Sequence, residues 1–187
     1  MIKNIFLKKK LARNWFSLLQ EAACHEFQKI EIEYAKKKRE KYCYFKKNRW
    51  TKNKNEGGGT YYTIKNGNVF DSIGVNFSEV SGKFNKDIKS QVFKNQKNSN
   101  YWAAGISIVA HMKNAKIPAL HFNTRFIVTS KHWFGGGVDA TPSFKDKYES
   151  SNFHKLLREV CFKNKKNYNK YKKWCDEYFY LPHRNEP

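Results

Sequence analysis

The chain has 187 residues, enough for one domain with a real core and thin for two. Its formal charge is +21, yet 40% of residues are hydrophobic and 17% aromatic, an apolar load that excludes a disordered basic tail. The longest apolar run, Trp102 to Ala110, is too short to cross a bilayer as a helix.

In chain order, Trp15, Leu18, Leu19, Ala22, Phe27, Ile30 and Tyr34 recur at near-helical spacing, so residues 11–39 are predicted to form an amphipathic helix. A basic linker leads to Gly57-Gly58-Gly59. Residues 61–64 and 69–70, separated by Lys65-Asn66-Gly67-Asn68, predict a hairpin, because Asn-Gly readily takes positive φ. A third strand is expected at 73–80, followed by a polar stretch with little periodicity from Lys83 to Asn100. Two further strands are expected at 102–111 and 121–129, joined by a loop containing Pro118, and Gly135-Gly136-Gly137 is expected to break the chain. Phe153, Leu156, Leu157, Val160 and Cys161 mark a helix with Ser150 or Ser151 as its N-cap. Tyr168, Tyr171, Cys175 and Tyr178 mark another. No internal repeat is present. Strands in the middle with helices on either side predict an α+β fold on an antiparallel sheet.

Side chains alternate faces along a strand. That alternation puts His121, Asn123 and Arg125 on one face and Phe122, Thr124 and Phe126 on the other. In the preceding run Ser107, Val109 and His111 share a face. If the two runs pair across the Pro118 loop, their polar faces form one wall with two imidazoles, a hydroxyl, an amide and a guanidinium. A plain solvated face is the ordinary state of a half-buried antiparallel strand. Solvent faces elsewhere in this chain are Lys and Asn, whereas this one holds His and one of only six Arg residues. Arg suits bidentate carboxylate recognition, and His exchanges a proton near neutral pH. In Trp133–Pro142, three glycines let backbone approach a ligand closely and Asp139 stands beside them; an isolated Asp there also suits a turn or cap.

The basic excess is almost all Lys (31 Lys, 6 Arg) spread among many Asn residues. A compositional bias over a solvated surface explains it better than a nucleic-acid groove, which favours clustered Arg; a basic nucleic-acid-binding module is kept as a distant alternative. Cys24, Cys43, Cys161 and Cys175 show no CxxC pair and no short metal spacing, so free thiols in a reducing compartment, the cytoplasm, are expected. The basic start of the chain runs into the helical pattern and is taken as part of the fold rather than as a transit peptide. His111, His121, His154 and His183 are four candidate metal ligands whose dispersed spacing is diagnostic of no metal.

Gly57-Gly58-Gly59, Gly74-Val75-Asn76-Phe77-Ser78, Gly105 through His111, His121 through Phe126, Trp133 through Pro142, and Trp174-Cys175-Asp176-Glu177-Tyr178-Phe179-Tyr180 occur in order along the chain. Together they resemble the oxygen-dependent coproporphyrinogen-III oxidases of haem biosynthesis, from about Trp15 to the last residue. The resemblance implies a broad antiparallel β-sheet flanked by helices on both faces, in a single domain over 1–187 that is the N-terminal portion of such a catalytic domain. It implies oxidative decarboxylation of two propionates of coproporphyrinogen III to vinyls, giving protoporphyrinogen IX. Molecular oxygen is the co-substrate, no organic cofactor is needed, and a divalent metal is left open. A homodimer is the expected assembly.

By position, the resemblance implies that Ser107, Asn123, Thr124 and Arg125 contact substrate, with Arg125 the carboxylate partner. His121 takes a proton-donor role. Asp139 engages the pyrrole N–H groups, so that the electron-rich macrocycle reacts with oxygen directly. His111, His121, His154 and His183 match positions assigned to a metal. The chain departs from the family pattern at Ala140, usually Leu, with a further local variation at Val138. It also stops at Pro187, where members continue through an Arg-Gly-x-Gly-Gly segment. A truncated product is therefore expected. A non-catalytic remnant that binds porphyrin without turnover stands as the alternative to the enzyme.

Overall fold

The structure, a computed structural model, describes residues 4–53, 56–83, 100–144 and 146–185. Helix α1 spans Ile5–Lys38, starting six residues before the apolar periodicity implies. Asn4 caps it, its side chain accepting from the Phe6 and Leu7 N–H groups at 2.9 and 3.3 Å, which satisfies two of the orphan donors of the first turn. Lys36, Lys37 and Lys38 sit in the last turn, where cations favour the helix dipole, and Arg39 ends the helix in the left-handed region.

Six strands follow: β1 (Lys46–Thr51), β2 (Gly57–Lys65), β3 (Phe70–Lys83), β4 (Asn100–Met112), β5 (Ala119–Val128) and β6 (His132–Thr141). They form one antiparallel meander in the order β1-β2-β3-β4-β5-β6. The segment expected as a basic linker before Gly57 contains β1, an almost wholly exposed strand whose Lys46, Lys47 and Arg49 guard the sheet edge. The polar stretch expected after Lys83 lies, from 84 to 99, outside the described residues. Two helices end the fold, α2 (Lys147–Lys163) and α3 (Tyr168–Phe179). Asp146, not Ser150 or Ser151, caps α2, accepting from the Tyr148 and Glu149 N–H groups; both serines lie inside the helix.

The glycines Gly135, Gly136 and Gly137 do not break the chain; they lie inside β6. A Cβ on Gly136 would come within 2.3 Å of the Asn123 carbonyl oxygen, so glycine there permits close approach of two strands. The hairpin falls where expected, with Asn66 at positive φ. Gly67 serves a different end, because a Cβ there would lie 2.1 Å from the Glu31 Oε1.

The core lies between α1 and one sheet face, where Ile64, Ile73, Val75, Ile106, Ala110 and Phe126 are buried together with Phe16 of α1. The buried positions of α1 are Ala12, Phe16, Gln20, Cys24, Glu31 and Ala35. Trp15, Leu18, Ile30 and Tyr34, expected on the packed stripe, are exposed. Two polar residues displace them because they satisfy backbone groups of the sheet. Gln20 donates to the Thr60 and Val75 carbonyls at 2.9 and 2.8 Å. Glu31 accepts from the Asn68, Val69 and Phe70 N–H groups. On the other face α3 reaches the sheet at β6, where Phe179 covers Gly137. Helices thus meet the sheet from both sides, α1 broadly and α3 at one margin. No described helix is long and apolar enough to cross a membrane.

Candidate active site

The face turned away from α1 carries the polar row. Register pairs Ser107 with Asn123, Val109 with His121 and Gly105 with Arg125, so β4 and β5 do form one wall across the Pro118 loop. Strand β6 extends it: His121 faces Asp139, and Asn123 faces Gly137. Cross-strand partners on one face are in side-chain contact range. His121 Nδ1 lies 3.2 Å from Asp139 Oδ2. Thr141, two residues along the same face, donates its hydroxyl to that oxygen at 2.7 Å. Asp139 Oδ1 makes no protein hydrogen bond among the described residues and is left for a ligand donor. The His121 side chain is 36% exposed and that of Asp139 19%, so the pair is reachable from solvent and still partly desolvated.

With Nδ1 directed at Asp139, Nε2 lies on the side of the His121 ring away from that carboxylate. His111 stands edge-on to it, ring centroids 5.9 Å apart. Beside this pair Arg125 donates through Nη2 to Asn123 Oδ1 at 2.9 Å. That contact occupies the Asn123 amide oxygen and leaves its N–H groups beside an exposed guanidinium. Amide and guanidinium donors side by side suit a carboxylate. Thr124 alternates to the α1 face, in register with Ile106 and Gly136, so only its backbone belongs to the wall.

A cavity of about 480 Å³ opens between β5, β6, α2 and α3, bordered by Asn123, Asp139, His154, Tyr168, Cys175 and Phe179. The Tyr168 hydroxyl is 2.9 Å from His154 Nδ1. Burial pushes the His154 pKa down, and the Lys172 and Arg158 cations push it the same way. Burial likewise pushes the Cys175 thiol up, with Asp176 adding to it. Both shifts favour the neutral form of the group at the cavity wall.

The four histidines do not come together as a metal centre. His111 and His121 are neighbours, His154 lies on α2 bonded to Tyr168, and His183 is exposed in the turn after α3. Among the described residues no three His, Cys, Asp or Glu side chains are placed to hold a metal ion. Two residues of the site went unnoticed in the sequence, Thr141 and Tyr168. Strand alternation from Asp139 puts Thr141 on its face, but only once β6 is known to be a strand.

Fold and site together define an α+β protein with a broad antiparallel meander, whose open face sets an imidazole–carboxylate pair beside a guanidinium–amide pair. The family model for coproporphyrinogen III oxidase matches residues 11–187, and the chain belongs to that family. Among its relatives are proteins named oxygen-dependent coproporphyrinogen-III oxidase from Rickettsia rickettsii (strain Sheila Smith) and Rickettsia akari (strain Hartford), each 46% identical over 180 residues. The protein of that name from Rickettsia bellii (strain OSU 85-389) is 44% identical. Each alignment covers 96% of this chain and 64% of the relative; the chain thus spans less than two thirds of the length of these relatives.

Proposed function

We propose that the open sheet face binds coproporphyrinogen III and carries the chemistry of its oxygen-dependent decarboxylation to protoporphyrinogen IX. The observation that carries this reading is the His121–Asp139 pair standing beside Asn123 and Arg125 on one face. For each of two propionates, the net change removes carbon dioxide and two hydrogens from the side chain, leaving a vinyl group, while oxygen takes the two hydrogens to become hydrogen peroxide. No organic cofactor enters that balance.

Each residue has a role its surroundings support. Arg125 and the Asn123 amide receive a propionate carboxylate, with Ser107 and the Thr124 backbone alongside. Asp139 keeps Oδ2 for His121 and Thr141, so Oδ1 accepts a pyrrole N–H and draws electron density onto the macrocycle facing oxygen. His121 moves a proton at Nε2. The chain supplies orientation and a partly dry, polar surface for charge that develops during reaction. A homodimer belongs to the same proposal and rests on the family relationship. A cytoplasmic location fits the four free cysteines.

Aerobic incubation with coproporphyrinogen III tests the reading, with vinyl product read by fluorescence and mass. The expected result is product formation by the chain and its loss in Asp139→Ala with porphyrinogen binding retained. Full activity in Asp139→Ala would remove that residue from the mechanism. Saturable binding without product would leave a porphyrin-binding chain, and absence of both overturns the assignment.

A further inference from the structure

The polar row does not stop at β4. Ser107 is in register with Asn76 on β3, and Asn76 with Tyr61 on β2. Both side chains belong to the face away from α1, because their strand neighbours Val75 and Phe77 face the core. Both are half-buried, and neither makes a side-chain hydrogen bond among the described residues. A partly exposed amide and phenol with unused donors, lined up with Ser107 and Asn123, are equipped to take acceptors from a ligand.

Asn76 also leans toward the reacting groups. Its Nδ2 lies 3.8 Å from where a Cβ on Gly74 would stand, and the Gly74 row continues through Val109 and His121 to Asp139. With strands about 4.8 Å apart, Asn76 stands about 10 Å from Asn123 across the sheet and Tyr61 about 14 Å. A tetrapyrrole with a carboxylate on each ring, held at one side by Arg125, is wide enough to reach β3 and β2 with its opposite carboxylates.

We propose that Asn76 and Tyr61 bind the carboxylates on the side of the tetrapyrrole away from Arg125, and so set a preference for tetracarboxylate over dicarboxylate porphyrins. This rests on the reading of the open face as the porphyrinogen site. The Asn76 amide and the Tyr61 hydroxyl are the donors; a dicarboxylate porphyrin carries both carboxylates on one side, and in free binding that side turns to the Arg125 guanidinium, the stronger carboxylate partner, which leaves Asn76 and Tyr61 without acceptors.

Fluorescence titration of the chain with coproporphyrin III and with protoporphyrin IX, a tetracarboxylate and a dicarboxylate, tests this. Asn76→Ala is expected to weaken the tetracarboxylate about tenfold, the scale of a lost hydrogen bond to a charged group, and to leave the dicarboxylate nearly unchanged. Tyr61→Phe keeps the ring, loses the hydroxyl, and should narrow the same ratio. Asn76→Asp is almost isosteric, so it preserves the fold while setting a carboxylate against the ligand; it should narrow the ratio further than alanine. Arg125→Ala should weaken tetracarboxylate binding whatever the state of β2 and β3. If Arg125→Ala does so while the ratio stays unchanged in Asn76→Asp and Tyr61→Phe, the extension to β3 and β2 is wrong and the site reading stands. If the wild-type chain binds neither porphyrin, or Arg125→Ala binds as wild type, the site reading fails and takes this proposal with it.

Discussion

Glu31, on the first helix, accepts the backbone N–H of Phe70 at 2.9 Å, although 39 residues separate them. The same carboxylate takes the Val69 and Asn68 N–H groups at 3.0 and 2.9 Å, so one fully buried side chain closes the β2–β3 hairpin against α1. Glu31→Gln keeps an acceptor oxygen for Val69 and Phe70, which share Oε1, and turns amide hydrogens toward the Asn68 N–H, which then has no acceptor. Stranding buried donors costs on the order of 1–3 kcal/mol. The variant should lose about 3 kcal/mol, read as a lower urea midpoint at unchanged slope. Glu33→Gln, on the exposed side of the same helix, should fall within about 0.5 kcal/mol of wild type.

Adjacent glycines of β6 should respond oppositely to alanine. A Cβ on Gly136 meets the Asn123 carbonyl oxygen at 2.3 Å and the Thr124 Cα at 2.9 Å, whereas on Gly135 its nearest neighbours are Trp133 ring atoms at 3.8 Å. Gly135→Ala should be neutral or stabilising by about 0.5 kcal/mol, since glycine costs chain entropy within a strand. Gly136→Ala must push β5 away and should destabilise by about 1–3 kcal/mol, the range for overpacked sites. It should also weaken porphyrin binding, because the displaced segment is the one that bears Asn123 and Arg125. Equal melting temperatures for the two variants would contradict this account.

Much of the architecture was written in local pattern. The alternation of His121, Asn123 and Arg125 against Phe122 and Phe126 set both the strand and the polar face, and Asn66-Gly67 set the hairpin. The face of α1 was not legible, because hydrophobicity points to Trp15 and Leu18, while burial goes to Gln20 and Glu31 for backbone acceptors and donors that only the assembled sheet provides. Strand β1 was missed since an exposed edge strand of Lys, Asn and Arg carries no period-two apolar signal. The glycine-rich run singled out Asp139 and the motif resemblance gave it a role. Its contacts to His121 and Thr141 depend on the β5–β6 register, and three successive glycines hid the strand that creates it.

Cys24 should be the slowest thiol. Burial, with Glu21 adding and Lys47 opposing, pushes its pKa up to about 12, so at pH 8 only about one molecule in ten thousand holds the reactive thiolate. Alkylation with iodoacetamide, mapped by peptide mass, should label Cys24 about a hundredfold more slowly than the less buried Cys161 in the folded chain. In denaturant the two should react alike. Equal rates in the folded chain would mean that α1 does not stay docked on the sheet.

His154 should give stability a pH dependence near neutrality. Burial lowers its pKa below the ordinary 6.5, and the Lys172 and Arg158 cations add to that, against Asp176. The neutral ring accepts the Tyr168 hydroxyl, and Arg158 lies over the Tyr168 ring at 5.0 Å, so protonation disturbs the contact between α2 and α3. The unfolded chain takes up this proton near pH 6.5, whereas the folded chain resists to lower pH. Between those values the unfolded state holds more protons, so stability falls as pH drops through the window and levels off below the folded pKa. Above pH 6.5 the contribution is fully present. His154→Gln keeps a polar partner for Tyr168 and does not titrate. Urea midpoints at pH 7.5, 6.5 and 5.5 should therefore decline less steeply in the variant than in wild type. Parallel declines would mean that His154 takes its proton equally in the folded and unfolded chains, and that the α2–α3 contact does not depend on a neutral ring.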